Sequence, residues 1–312
     1  MTNNKDISNT RRTGTRLNKV SIPAEIMIYI TIGLFCVICV IPFVFVAIIS
    51  FSSEESIRQI GFSFMPIESS LKAYKYILDL GDQLWRSYFN SFFITIVGTI
   101  ISVLTCILYS YALFRRDFKY RRFFTFFAFF TMMFGGGLAP TYMVCKNMLG
   151  LSDNYAALIV PMLVNPFNLI IMRTFFQSSV PEELIEAAAI DGSGEYNTLF
   201  KIIVPIAKPG IATVALLNAL AYWNEWFIAM LYVRDPHLIP LQYLLMRMQN
   251  QVDFLVKNSS VIGVEASNIM NQLPKDSLRM ALVVLIVLPI ACAYPFFQRY
   301  IISGLTIGSV KG

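Results

Sequence analysis

Six long apolar runs constrain this chain more than any other feature of its sequence. They occupy residues 26–50, 88–114, 123–145, 155–172, 209–233 and 280–298. A hydrocarbon core about 30 Å thick takes about 20 helical residues to cross. Membrane-crossing strands would instead alternate apolar and polar residues over about ten positions. These runs do not alternate, so helices are expected. Composition agrees, with 56% hydrophobic and 14% charged residues, where a soluble domain carries about 25% charged. A disordered chain, a collagen-like chain and a small disulfide scaffold are excluded on the same grounds. The expected fold class is an all-α integral membrane protein with six transmembrane helices.

The run at 155–172 is short and contains Pro161 and Pro166. Such breaks are tolerated where neighbouring protein or a water-lined cavity satisfies the freed backbone groups. The N-terminal run is too long for the apolar region of a cleavable signal, and no small-x-small site follows it. Residues 1–25 therefore read as a polar tail, and no internal repeat is visible.

Positive charge orients the bundle. Lys5, Arg11, Arg12, Arg16 and Lys19 precede the first run, and Arg115, Arg116, Lys119, Arg121 and Arg122 lie between the second and third. Lys/Arg excess marks cytoplasmic segments, and six spans then put both termini inside. Residues 51–87, 146–154 and 234–279 fall outside, and 173–208 inside. The net charge of +6 is thus a topology signal, not a sign of nucleic acid.

One histidine, His237, leaves little material for a Ser-His-Asp relay, a histidine zinc site or haem ligation. All five cysteines fall in or at the edge of spans and read as small apolar residues, Cys36 and Cys39 included. Gly-Lys occurs nowhere, so the phosphate-cradling G-x-x-x-x-G-K-[ST] loop is absent. No catalytic or metal-ligating residue is expected, and any ATP must be bound by another polypeptide.

The inner segment 173–208 is the most informative. Ser179 followed by Glu182 has the spacing of a capping box, with Pro181 in the first turn. Glu182, Glu183 and Glu186 favour the positive end of the helix dipole. Gly192 is placed to stop the helix in the left-handed conformation, and a second helix over 195–204 ends before Pro205. The flat alanine face of Ala187, Ala188 and Ala189 suits a partner's groove, and an ordinary amphipathic connector would look the same.

Glu186-Ala187-Ala188 with Asp191-Gly192, Ile203-x-Pro205 and Pro209 resembles the EAA loop of bacterial ABC importer permeases. With Trp223-Asn224-Glu225-Trp226 and the C-terminal residues 304–312, the resemblance is to maltose-type carbohydrate permeases, in the oligosaccharide and uronate-oligosaccharide branch. It runs from about residue 26 to the end. It implies the type I importer permease fold, with residues 26–87 as first span and outer segment, 88–302 as permease core, the EAA loop at 180–205 and a tail at 303–312. It implies a helix around Glu182, Glu186, Ala187, Ala188, Asp191 and Gly192 docked on an ATPase subunit. Leu184 and Phe200 would pack that helix to its own bundle or to the partner, and Val310, Lys311 and Gly312 would reach towards the ATPase dimer. Ser193 stands where the family commonly has Ala. The implied partners are a second permease, two ATP-binding subunits carrying ATP and Mg, an extracytoplasmic solute-binding protein and a sugar, in the bacterial cytoplasmic membrane.

Glu225 is the only charged residue within the six runs. Such a residue costs about 2.5–3.5 kcal/mol at a helix centre and should face protein or water. At about 100° per residue, Asn218, Tyr222, Glu225 and Trp226 share one arc, as a sugar path or an interhelical hydrogen-bond cluster. Asn165 and Asn168 share a face of the fourth span, and Met132 and Met133 offer adaptable surface. Gly135, Gly136 and Gly137 are expected to allow close packing or a gating bend. Leu71, Tyr74, Ile77 and Leu78 predict an outer helix lying on the bundle. The outer segment 234–279 is either an ordinary loop or a contact for the binding protein. The expected function is a sugar importer's permease subunit; the alternative is an ion-coupled secondary transporter using Glu225.

Overall fold

The computed structural model describes residues 21–257 and 274–309. Val310, Lys311 and Gly312 lie outside the described residues, as do most of the N-terminal tail and part of the outer segment. In chain order the helices are α1 (Ile22–Ser50), α2 (Glu54–Ile60), α3 (Lys72–Leu78), α4 (Asp82–Phe114) and α5 (Arg121–Met133). Then come α6 (Leu138–Met148), α7 (Tyr155–Met162), α8 (Pro166–Ser179), α9 (Glu182–Ile190) and α10 (Glu195–Ile206). The last are α11 (Lys208–Trp223), α12 (Phe227–Tyr232), α13 (Leu241–Lys257) and α14 (Lys275–Ser309).

Among the described residues, three helices are unbroken, apolar and long enough to cross a membrane: α1, α4 and α14 as far as Phe296. The other spans are bent pairs, α5 with α6 by 116°, α7 with α8 by 54° and α10 with α11 by 84°. The first bend falls at the three glycines, where Gly137 takes φ +81°. Among the described residues a Cβ on Gly135 or Gly136 would meet nothing within 4 Å, so these glycines are not needed for close packing against them. The second bend is at the paired prolines. At the third, Pro205 does not end α10. The chain widens to a π turn over Leu199–Ile203 and continues to Ile206, which accommodates a ring that would collide with a regular preceding turn.

The fifth span also departs from the sequence reading, because α11 stops at Trp223 and residues 224–226 are not helical. α8 in turn runs on past 172 to Ser179 and carries Arg173 beyond the expected end of the fourth span.

Two apolar cores lie along α4. Near its N-terminal half, Leu84, Ile94, Ile159, Trp223, Leu241 and Leu278 pack together with Ile77 of α3. Near its C-terminal half, Ile107, Met172, Phe176, Ile185, Leu199 and Val214 form the second. Leu71 and Leu78 are exposed, so only part of the expected apolar face of α3 lies on the bundle. α1 is apolar all round, with 6% of its most hydrophobic stretch buried inside the chain. A helix of that kind faces lipid or another protein.

Candidate functional site

The 180–205 loop is built from the backbone outward. Ser179 is the last residue of α8, so the expected capping box does not form; extended Pro181 precedes α9, with no side-chain cap. Glu182 and Glu183 stand at the positive end of the helix instead. At its other end Gly192 takes φ +73°, the Gly192 N–H donates to Ala189 O (3.1 Å) and the Ser193 N–H to Ala188 O (2.9 Å). This pair of bonds is a Schellman stop, which needs the left-handed residue that glycine supplies without steric cost. Ser193 then serves α10, its hydroxyl accepting from Asn197 Nδ2 (3.1 Å) and Thr198 Oγ1 (3.2 Å).

Ile185, Ala188, Leu199 and Ile203 are buried and seat this loop on Phe176, Val180 and Ala207. The three alanines therefore do not form one free face: Ala188 points into the bundle, while Ala187 and Ala189 are exposed. Leu184 (40% exposed), Phe200 (44%), Tyr196 (76%) and Ile190 (86%) leave an apolar surface on the outside. Leu184 and Phe200 thus keep part of their side chains open to a partner. Glu186 and Asp191 are also exposed.

Two neighbouring arginines at the end of α4 tie both limbs of the loop to the bundle. Arg116 meets Glu182, the first residue of α9, at 2.9 Å, and Arg115 meets Glu195, the first residue of α10, at 2.9 Å. The Tyr111 hydroxyl donates to the same Glu195 carboxylate, and Arg115 also pairs with Asp117 at 2.6 Å. That hydrogen bond holds the Asp117 carboxyl below the usual carboxylate range. A cleft of about 700 Å³ opens between the 115–121 segment and α9, with Arg115, Arg116 and Arg121 facing Glu182, Glu183 and Glu186 across it.

A polar band separates the two cores. Tightening at residues 160–162 hands the Leu163 N–H to Val160 O, which frees the Ile159 carbonyl. The Tyr222 hydroxyl donates to that carbonyl at 3.0 Å and accepts from Ser102 Oγ at 3.0 Å. One layer on, Asn168 Nδ2 donates to Asn218 Oδ1 (3.1 Å), and Asn218 Nδ2 donates to Val214 O (3.1 Å). All four side chains are buried. Gly98 makes room for this arrangement, since a Cβ there would lie 2.7 Å from the Tyr222 ring.

The single arc expected for Asn218, Tyr222, Glu225 and Trp226 is therefore not present. The helix ends before Glu225, whose Oε1 accepts the Ile228 N–H at 2.8 Å at the start of α12. Half-buried Trp226 lies in the same break. Asn165 and Asn168 do not act together either, because the Asn165 carbonyl caps α8 through the Phe167 N–H (2.9 Å). The sequence reading took Arg115 only as a topology signal and Glu195 only as a helix start, and did not single out Tyr111, Ser102 or Gly98. For Gly98, a glycine inside an apolar run was the visible signal.

Bent spans around a polar band, with a helix-turn-helix loop seated on one end, define a multi-pass membrane permease. The chain belongs to the family described as binding-protein-dependent transport system inner membrane component, whose model matches residues 112–307. It is 38% identical to the polygalacturonan/rhamnogalacturonan transport system permease protein YtcP of Bacillus subtilis (strain 168), over 92% of this chain and 98% of that protein. It is 31% identical to the arabinooligosaccharides transport system permease protein AraQ of Halalkalibacterium halodurans, over 88% of this chain and 92% of that one. Among solved structures it resembles a bacterial ABC transporter involved in the import of the acidic polysaccharide alginate. The TM-score is 0.74 at 30% identity, covering 89% of this chain and 96% of that chain. This chain is thus an ABC importer permease subunit, a transport component rather than an ATPase, and the family supports that reading over an ion-coupled transporter.

Proposed function

We propose that this subunit lines half of the translocation path of an oligosaccharide importer and couples it to ATP-binding partners through α9. The observation that carries this reading is the apolar surface of Leu184, Ile190, Tyr196 and Phe200, exposed on a loop that buried Ile185, Ala188, Leu199 and Ile203 hold firmly from behind. Small Ala187 and Ala189 allow close approach between those anchors, and Glu186 and Asp191 supply charge at the rim. In this reading a second permease completes the path, and two ATPase subunits bind ATP and Mg. An extracytoplasmic binding protein delivers the sugar. The termini and the 180–205 loop share the cytoplasmic side of the bacterial membrane, as the Lys/Arg distribution favours.

The substrate class we infer is an acidic, uronate-bearing oligosaccharide, on the strength of two relatives described by polygalacturonan/rhamnogalacturonan transport and alginate import. Asn168, Asn218 and Tyr222 serve as the internal lock of the path wall, and exposed Asn165 and half-buried Trp226 are the residues placed to meet sugar. The test is uptake of oligogalacturonide into vesicles holding the assembled complex and its binding protein. ATP-dependent accumulation is expected; accumulation driven by a proton or sodium gradient without ATP would overturn the reading.

A further inference from the structure

α4 differs from every other span. It is 33 residues long, about 50 Å at ~1.5 Å per residue, and contains no proline. Of the two other unbroken spans, α1 contains Pro42 and α14 contains Pro289 and Pro295. The remaining spans are bent by 54° to 116°. Proline and broken turns are where helices bend, so α4 is the stiff member of the described bundle.

Its two ends are tied to the two faces of the molecule. At the C-terminal end Arg115 and Tyr111 hold Glu195, and Arg116 holds Glu182, so both limbs of the 180–205 loop are fixed to α4. At the N-terminal end the ties go to the segment that follows α12. Gln83 Nε2 donates to Pro236 O (2.8 Å), and Asn90 Nδ2 donates to His237 O (2.8 Å) and Ile239 O (3.2 Å). Ser91 Oγ accepts the Leu241 N–H at 2.7 Å. The Asn90 carbonyl is occupied as well, by the Tyr155 hydroxyl at 2.8 Å. The four bonds to the 236–241 segment all go to backbone atoms, which fixes its position where apolar packing alone would let one surface slide on another.

We propose that α4 is the transmission rod of the subunit. Asn90 positions the 236–241 segment on one face, Arg115 and Glu195 position the coupling loop on the other, and displacement of either loop moves the same helix. The proposal deepens the importer reading and rests on it: the 236–241 face would register the loaded binding protein, and the coupling loop would pass that state to the ATPase.

The test uses the assembled complex in nanodiscs, reading ATPase activity with and without loaded binding protein, for N90A, E195Q and the double variant. Each single variant is expected to lower the binding-protein stimulation about fivefold. The two sites are about 38 Å apart along α4, and changes that far apart ordinarily combine independently. Independent effects would give about a 25-fold loss in the double variant. A shared rod predicts a double variant no worse than about fivefold, because the transmission is already broken. A 25-fold loss, or singles that keep full stimulation, would overturn the rod. A wild-type complex with neither stimulation nor ATP-driven uptake would instead overturn the importer reading. Variants are compared at equal assembly, measured by size-exclusion chromatography; if N90A does not assemble, Q83A with E195Q carries the same test.

Discussion

Arg115 Nη2 lies 2.9 Å from Glu195 Oε1, which joins the C-terminal cap of α4 to the first residue of α10. The Arg115 side chain is 16% exposed and that of Glu195 60%, so solvent screens the pair from one side. A half-screened pair of this kind contributes about 0.2–1 kcal/mol. E195Q should therefore lower the melting temperature of the purified protein only slightly, while limited proteolysis around 191–195 becomes faster. A large loss of stability would show that the tie is part of the core and not a positional device.

Tyr222 and Gly98 make a sharper stability prediction. Tyr222→Phe leaves the Ile159 carbonyl without its donor, at a cost of about 1–3 kcal/mol. Gly98→Ala places a methyl 2.7 Å from the same ring, and α11 must move or the ring must leave both its partners. Forced overpacking of this kind costs about 1–3 kcal/mol in its own right. Thermal unfolding of the solubilised variants should rank Gly98→Ala at or below Tyr222→Phe.

The asparagine pair should be non-additive. Asn218→Leu leaves the buried Asn168 amide without its acceptor, and Asn168→Leu leaves the Asn218 carbonyl without its donor. Each single change is expected to cost about 1 kcal/mol or more, and the double change less than their sum. A double-mutant cycle in the same detergent reads this directly, and strict additivity would mean the contact carries no energy.

Gly192→Ala isolates backbone strain, because among the described residues a Cβ there meets nothing within 4 Å while φ is +73°. Holding alanine in the left-handed region costs about 1–2 kcal/mol. Membrane insertion should be unchanged, uptake in the assembled complex reduced, and Gly192→Asn milder than Gly192→Ala since asparagine tolerates that region. Equal uptake by all three proteins would show that the sharp stop of α9 is not needed for coupling.

Asp153 gives a pH dependence outside the membrane. The N–H groups of Arg234 and Asp235 donate to Oδ1 and hold the carboxyl below its ordinary value, with φ at +49°. A carboxyl whose folded pKa is depressed contributes stability above its unfolded pKa of about 3.9, and that contribution is lost as pH falls through the folded value. The midpoint of unfolding should fall with acidification below about pH 4 more steeply in wild type than in Asp153→Asn, which keeps an acceptor oxygen without a charge to titrate.

Much of the fold was legible in the residues, for identifiable reasons. Span existence follows from apolar length, the α9 stop from glycine chemistry at Gly192, and the prolines at 161 and 166 marked a real break. The helix-by-helix arc through Asn218, Tyr222 and Glu225 failed because it assumed that one helix continues through 224–226. The capping box failed because α8 had already claimed Ser179.

Sequence by itself determined that this chain spans a membrane through helices, and that it carries a helix-turn-helix loop of the importer-permease kind. Both follow from local chemistry, the cost of exposing apolar length to water and the few residues that suit a turn. Tertiary structure alone decided which spans stay whole, which alanine faces inward, and that Arg115 and Asn90 grip opposite loops from one helix. Those outcomes depend on groups far apart in the chain, such as Ile159 with Tyr222 and Arg115 with Glu195. No local pattern encodes a partner that only packing brings within hydrogen-bond reach.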